Sequence, residues 1–151
     1  NRTLTQFAVD RVDGYLRQKP PVIGYSSAGN TTVEYDNCDH CDRPVHIVVR
    51  LFGKEILRVY TSPLSGSTVA GLRIQTGDFY DSKGRPSRTT RERINGLLDF
   101  FCTNGCLPEG VRCFVNELGQ CCIGVGESCK VFDQGNPAIL LMAHPSDLVV
   151  A

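Results

Sequence analysis

Val45-His46-Ile47-Val48-Val49-Arg50-Leu51-Phe52-Gly53-Lys54-Glu55-Ile56-Leu57-Arg58-Val59-Tyr60 reads as two β-strands joined by a tight turn. β-Branched and aromatic residues dominate both halves, as a pleated, packed surface requires. Gly53-Lys54 divides them, and two residues with glycine first suit a type II′ hairpin turn. The strands are therefore expected over Val45–Phe52 and Glu55–Tyr60. Val45, Ile47, Val49 and Leu51 alternate onto one face; His46, Val48, Arg50 and Phe52 fall on the other. Both faces carry apolar residues, so the hairpin is expected at the centre of a sheet, covered on both sides.

The same alternation appears on either side of this hairpin. Val22-Ile23-Gly24-Tyr25 and Thr32-Val33-Glu34-Tyr35 flank a longer loop over residues 26–30 and form a second hairpin. Thr61 to Thr68 reads as a loop. Val69 to Tyr80 reads as a strand region interrupted at Gly71 and Gly77. Arg112 to Asn116 and Cys121 to Val125 form a third hairpin around Glu117-Leu118-Gly119-Gln120. Lys130-Val131-Phe132 and Ala138 to Ala143 are two further short strands.

Two segments carry helical periodicity instead. Leu4, Ala8, Val12, Tyr15 and Leu16 recur at helical spacing behind a capping box, Thr3-x-x-Gln6, and Pro20-Pro21 ends the run. Ile94, Leu97, Leu98 and Phe101 give a cleaner stripe behind Thr89-x-x-Glu92, and Asn104-Gly105 supplies the stop. This second helix is expected from about Thr90 to Thr103, with its apolar stripe in the core and Arg91 on the surface. Helices and strands without a regular βαβ rhythm argue for an α+β fold: two short helices packed on a mostly antiparallel sheet.

With 151 residues, 41% apolar and 21% charged, the chain is expected to form a single compact domain over 1–151 with a real core. It begins at Asn1 and its one methionine is Met142, as in a processed chain or a fragment. Sixteen basic and sixteen acidic residues cancel, so no global field draws the chain to nucleic acid or to an anionic membrane. No apolar run approaches the ~20 residues of a membrane-spanning helix.

The eight cysteines are expected to crosslink the fold. Cys38 and Cys41 form a C-x-x-C, whose two thiolates can reach one tetrahedral zinc ion. One such pair is half a site. Cys102 and Cys106 lie four residues apart at the end of the second helix, where they share a face, and they complete the expected four-thiolate zinc site. The competing reading is disulfides, for which eight cysteines allow 105 pairings; unpaired buried thiols are the third. Zinc implies an intracellular protein and disulfides a secreted one.

Lys83, Arg85, Arg88, Arg91 and Arg93 crowd the loop that enters the second helix. Free N–H groups and the positive end of the helix dipole favour an anion there. These five residues are the expected anion- or partner-binding site. No nucleophile elbow, phosphate loop or cofactor fingerprint occurs. The expected function is thus a non-enzymatic, zinc-stabilised interaction module for a macromolecular partner, most simply a protein. Its rivals are an RNA- or DNA-binding zinc module, a cysteine-dependent enzyme, and a virion or assembly structural protein.

Overall fold

The computed structural model of the chain describes residues 2–17, 23–36, 46–62, 65–132, 138–142 and 149–150. The fold is α+β. Helix α1 (Arg2–Arg17) is followed by strands β1 (Ile23–Ala28), β2 (Thr31–Asp36), β3 (His46–Leu51), β4 (Lys54–Ser62) and β5 (Ser65–Gln75). A 3-10 turn (Thr76–Phe79) leads into helix α2 (Arg88–Thr103). Then come β6 (Arg112–Val115), β7 (Cys121–Val125), β8 (Ser128–Val131), β9 (Ala138–Met142) and β10 (Val149–Val150). Strands β1 to β5 run as a meander, and β9 and β10 extend it into a seven-stranded sheet. Strands β6, β7 and β8 form a separate three-stranded sheet. Every pairing in both sheets is antiparallel.

One core joins these layers. Val33, Tyr35, Ile47, Val49, Leu57, Val59, Leu72 and Ile74 project from one face of the large sheet. Ala8, Val12 and Tyr15 of α1 and Ile94, Leu97, Leu98 and Phe101 of α2 pack on them, together with Cys113, Cys121 and Ile123 of the small sheet. Tyr15 stacks on Tyr35 at 5.4 Å, and Phe79 on Phe132 at 4.3 Å. The two helices touch where Gly96 lies against Thr5.

Several local expectations change. The central turn is Phe52-Gly53, with Leu51 paired to Lys54 and φ of 52° and 79°. Two positive φ values make it type I′, whose twist matches that of the strands. The first hairpin is tighter than expected: Ala28 pairs with Thr31 across Gly29-Asn30, and the strands run through Ser26-Ser27-Ala28. Strand β4 continues to Ser62 and β5 starts at Ser65, so both ends of the expected loop over 61–68 belong to strands. Strand β5 passes through Gly71 and stops before Gly77.

The helix starts also move. Helix α1 already includes Thr3, so Thr3 is not its cap. The cap of α2 is Ser87, whose hydroxyl accepts from the Thr90 N–H at 3.3 Å, rather than Thr89. The stop at Asn104-Gly105 is as expected. Gly105 N–H bonds to Cys102 O and Cys106 N–H to Phe101 O, the paired contacts of a Schellman motif.

The second face of the central hairpin is not a second core. Val48 is buried yet stands outside the core cluster, and its neighbours on that face form a polar lattice. Glu34 pairs with Arg50 at 3.1 Å and Glu55 with Arg58 at 2.6 Å. Arg58 also reaches His46 Nδ1 at 3.2 Å, and the His46 ring meets Tyr60 edge-on. Long arginine stems cover the sheet there, and among the described residues this face carries paired charges rather than a second apolar cluster.

Candidate functional site

The five cations expected to form one anion site are held in four different ways. Asp81 opens the loop and organises it. Its carboxylate accepts from the N–H groups of Arg85 and Lys83, both at 2.9 Å, and pairs with the Arg85 side chain at 3.2 Å. These donors, the Arg85 N–H foremost, hold the Asp81 carboxyl below its usual range. Arg88 pairs with Glu92 one helical turn on, at 2.9 Å. Lys83 is exposed at the loop tip.

Arg91 and Arg93 turn inward. Arg91 is half-buried, so its expected surface position is corrected; its Nη1 is enclosed with no hydrogen-bond partner among the described residues, and its charge acts on the thiols of Cys113 and Cys121. Arg93 is fully buried at 0% exposure. It donates to Thr5 Oγ1 of α1 at 2.6 Å and to Asn30 Oδ1 of the β1–β2 turn at 3.4 Å. Burial draws its pKa down from the usual arginine value. Arg93 therefore ties α2 to α1 and to the sheet and is out of reach of an external ligand. The fivefold cluster does not come together on the surface.

A different set of residues meets at the same helix start. Leu51, Phe52, Lys54, Ile56, Gly77, Tyr80, Asp81, Ser87, Thr89 and Thr90 line a recess of about 220 Å³. The β3–β4 turn forms one wall, the loop after the 3-10 turn another, and the first turn of α2 the floor. The recess offers hydroxyls, one lysine and apolar side chains. It is smaller than the ~300–1,000 Å³ typical of small-molecule and cofactor sites. Sequence reasoning missed it, because its walls come from two loops about thirty residues apart.

Phe52 stands at its rim, 74% exposed, with φ of 52°. Type I′ turns favour Asn, Asp or Gly at that place. A bulky residue in the left-handed region costs about 1–3 kcal/mol. The Phe52 N–H is anchored on Asn30 O at 2.8 Å, which fixes the ring's base. The available signal in the sequence was Phe-Gly where Asn-Gly would be cheaper, and the type II′ assignment concealed it.

The cysteines fall into three groups. Cys38 and Cys41 lie outside the described residues, so half of the expected zinc site does too. Cys102 and Cys106 are neighbours across the C-terminal end of α2, both half-buried, and Cys102 Sγ donates to Pro108 O at 3.2 Å. Burial raises both thiols, and Cys102 raises Cys106 further. Among the described residues no group of three or more His, Cys, Asp or Glu side chains is placed to hold a metal ion.

The other four cysteines sit on the small sheet. Cys113 and Cys121 face α2 and the core. Burial pushes the Cys113 thiol far up and raises that of Cys121, against the Arg91 charge. Asn95 of α2 clamps the Cys113 backbone at both N–H and C=O, at 2.7 and 2.9 Å. Tyr80 Oη accepts from the Cys121 N–H at 3.0 Å and donates to Phe132 O at 3.1 Å. Cys122 and Cys129 lie on the opposite face.

Comparison with protein-family models, with characterised proteins and with solved structures found no significant match. Among the described residues no helix is long and apolar enough to cross a membrane.

Proposed function

We propose that the protein is a non-enzymatic interaction module that captures a segment of a partner protein at the start of α2, with Phe52 as the apolar anchor. One observation carries this reading: an aromatic ring is held out in solvent at a strained turn position beside a recess of side-chain size. Aromatic anchors next to well-formed pockets dominate protein-binding energy, and strain kept at an exposed site points to use of that site. A protein partner is favoured over nucleic acid because Arg85 and Arg88 already hold carboxylates and Arg93 is enclosed. Few phosphate contacts remain for a backbone-tracking surface. The exposed Lys83 favours an acidic residue flanking the apolar one.

Zinc enters this reading as a structural ion on Cys38, Cys41, Cys102 and Cys106. The support is the adjacency of Cys102 and Cys106 at the end of α2. Its role would be to hold the fold, since metal-binding free energy becomes folding free energy.

The test is selection of a displayed peptide library on the wild-type chain and on Phe52→Asn. Asparagine suits the type I′ turn, so this variant should be more stable by about 1 kcal/mol. Peptides enriched on the wild type should carry an apolar residue beside an acidic one and bind Phe52→Asn at least tenfold more weakly, ~1.4 kcal/mol. Equal binding to both forms would remove Phe52 from the function.

A further inference from the structure

The small sheet holds a second feature, independent of the recess. Strands β7 and β8 pair so that Gly124 faces Cys129 and Cys122 faces Val131. Cys122 and Cys129 therefore share one face, one diagonal step apart on adjacent strands. Diagonal neighbours on a regular sheet are ~7–8 Å apart, too far for a disulfide, which needs Cα atoms ~4.4–6.8 Å apart. Here the two side chains nonetheless meet, because the Cys129 thiol lies within hydrogen-bonding reach of the Cys122 thiol, and Gly124, directly opposite Cys129, places no side chain between them.

The two thiols also differ in access. Cys129 is exposed, whereas Cys122 is 1% exposed and rests its Sγ 3.6 Å from Gln120 O. Among the described residues Cys122 stands outside the main core cluster. Burial raises the Cys122 thiol, and its neighbour Cys129 raises it further. Each of the other described pairs lacks this combination. Cys113 and Cys121 are both enclosed, and Cys102 and Cys106 are both half-buried at a helix end.

We infer that Cys129 and Cys122 form a dithiol site for small-molecule disulfides, with Cys129 as the thiol attacked from solvent and Cys122 as the resolving thiol. The Cys129 thiolate attacks one sulfur of the reagent RSSR. The S–S bond of the reagent breaks, a mixed disulfide forms on Cys129, and RS⁻ leaves and takes up a proton. Cys122 then gives its proton to solvent, attacks Cys129 Sγ and expels the second RSH. Two protein thiols are oxidised to one disulfide and RSSR is reduced to two RSH. The bond would lock the β7–β8 hairpin, whose tip carries the exposed Val125.

The test uses oxidised glutathione on the reduced full chain, with intact mass and peptide mapping. Cleavage at Glu117 and Glu127 puts Cys122 and Cys129 on different peptides, so only a disulfide keeps them together. Wild type should release two glutathiones and show the Cys122–Cys129 crosslink, lost on reduction. Cys122→Ser should stop at a persistent glutathione adduct on Cys129. Cys129→Ser, an exposed change that leaves packing intact, should lose the crosslink and leave Cys122 unmodified. A glutathione adduct on Cys129 that persists in wild type as in Cys122→Ser, or a crosslink from Cys129 to another cysteine, would overturn the inference.

Discussion

Replacing Gly96 with alanine should destabilise this protein, although the same change at Gly14 should stabilise it. Both glycines lie inside helices, Gly14 in α1 and Gly96 in α2. Alanine is worth about 0.8–1 kcal/mol over glycine in a helix interior. At Gly14 a Cβ would meet nothing within 4 Å, so the full gain should appear. At Gly96 a Cβ would run into Thr5 Cγ2 of α1. Thr5 cannot rotate away without cost, because its hydroxyl accepts from buried Arg93 at 2.6 Å. Overpacking of this kind costs about 1–3 kcal/mol. Subtracting the helix gain leaves a net loss of about 0–2 kcal/mol. Urea and thermal unfolding followed by circular dichroism would read this as opposite shifts, each about 2–4 °C per kcal/mol at this chain length. Thr5→Ser removes Cγ2 and keeps the hydroxyl for Arg93, so in that background Gly96→Ala should become stabilising. If Gly96→Ala stabilises the wild type as much as Gly14→Ala does, or if Thr5→Ser leaves its effect unchanged, the helices do not meet at this contact.

Three further outcomes are expected. Arg93→Ala should cost about 3–5 kcal/mol, since it leaves a cavity and strips charged hydrogen bonds from Thr5 and Asn30; Arg88→Ala, whose side chain is 85% exposed, should cost under about 1 kcal/mol, and equal urea midpoints would contradict the placement of Arg93. Leu97→Ala, at a fully buried position, should cost about 2–5 kcal/mol by the same assay. Glu55 provides a pH test: burial raises its pKa, but hydrogen bonding and charge from Arg58 outweigh this and leave it below the ordinary 4.5. A carboxyl depressed in the folded state contributes stability fully above its unfolded pKa and loses it as pH falls through the folded value. Stability should therefore decline on acidification from about pH 5 downward, and Glu55→Gln should flatten that limb; an unchanged slope between pH 5 and 3 would show that the Arg58 pair contributes nothing there.

The elements legible from the residues alone are those whose stabilising contacts are local. The stripe Ile94, Leu97, Leu98, Phe101 identified α2 and its buried face, because a 3.6-residue period is a property of neighbouring residues. Asn104-Gly105 marked its end for the same reason: the Schellman contacts span only residues 101–106. The period-two runs located both strands of the central hairpin and of the β6–β7 hairpin, and with them the α+β class. Cap and turn choices were less legible. Ser87, Thr89 and Thr90 offer equivalent hydroxyls to the same N–H groups, and the contact between Ser87 N–H and Phe79 O at 2.6 Å settles where the helix begins. Phe52-Gly53 and Gly53-Lys54 are both passable two-residue turns until the register with β4 selects one. Long-range packing sets the fate of the arginines. Five cations in one short segment look alike in sequence, yet partners from α1 and the β1–β2 turn enclose Arg93, the small sheet receives Arg91, and Arg85 and Arg88 stay at the surface with nearby carboxylates. The nearness of Cys122 to Cys129 on one face, and the recess beside Phe52, arise in the same way. Each depends on which strands lie side by side and how closely their backbones approach, which no local run of residues encodes.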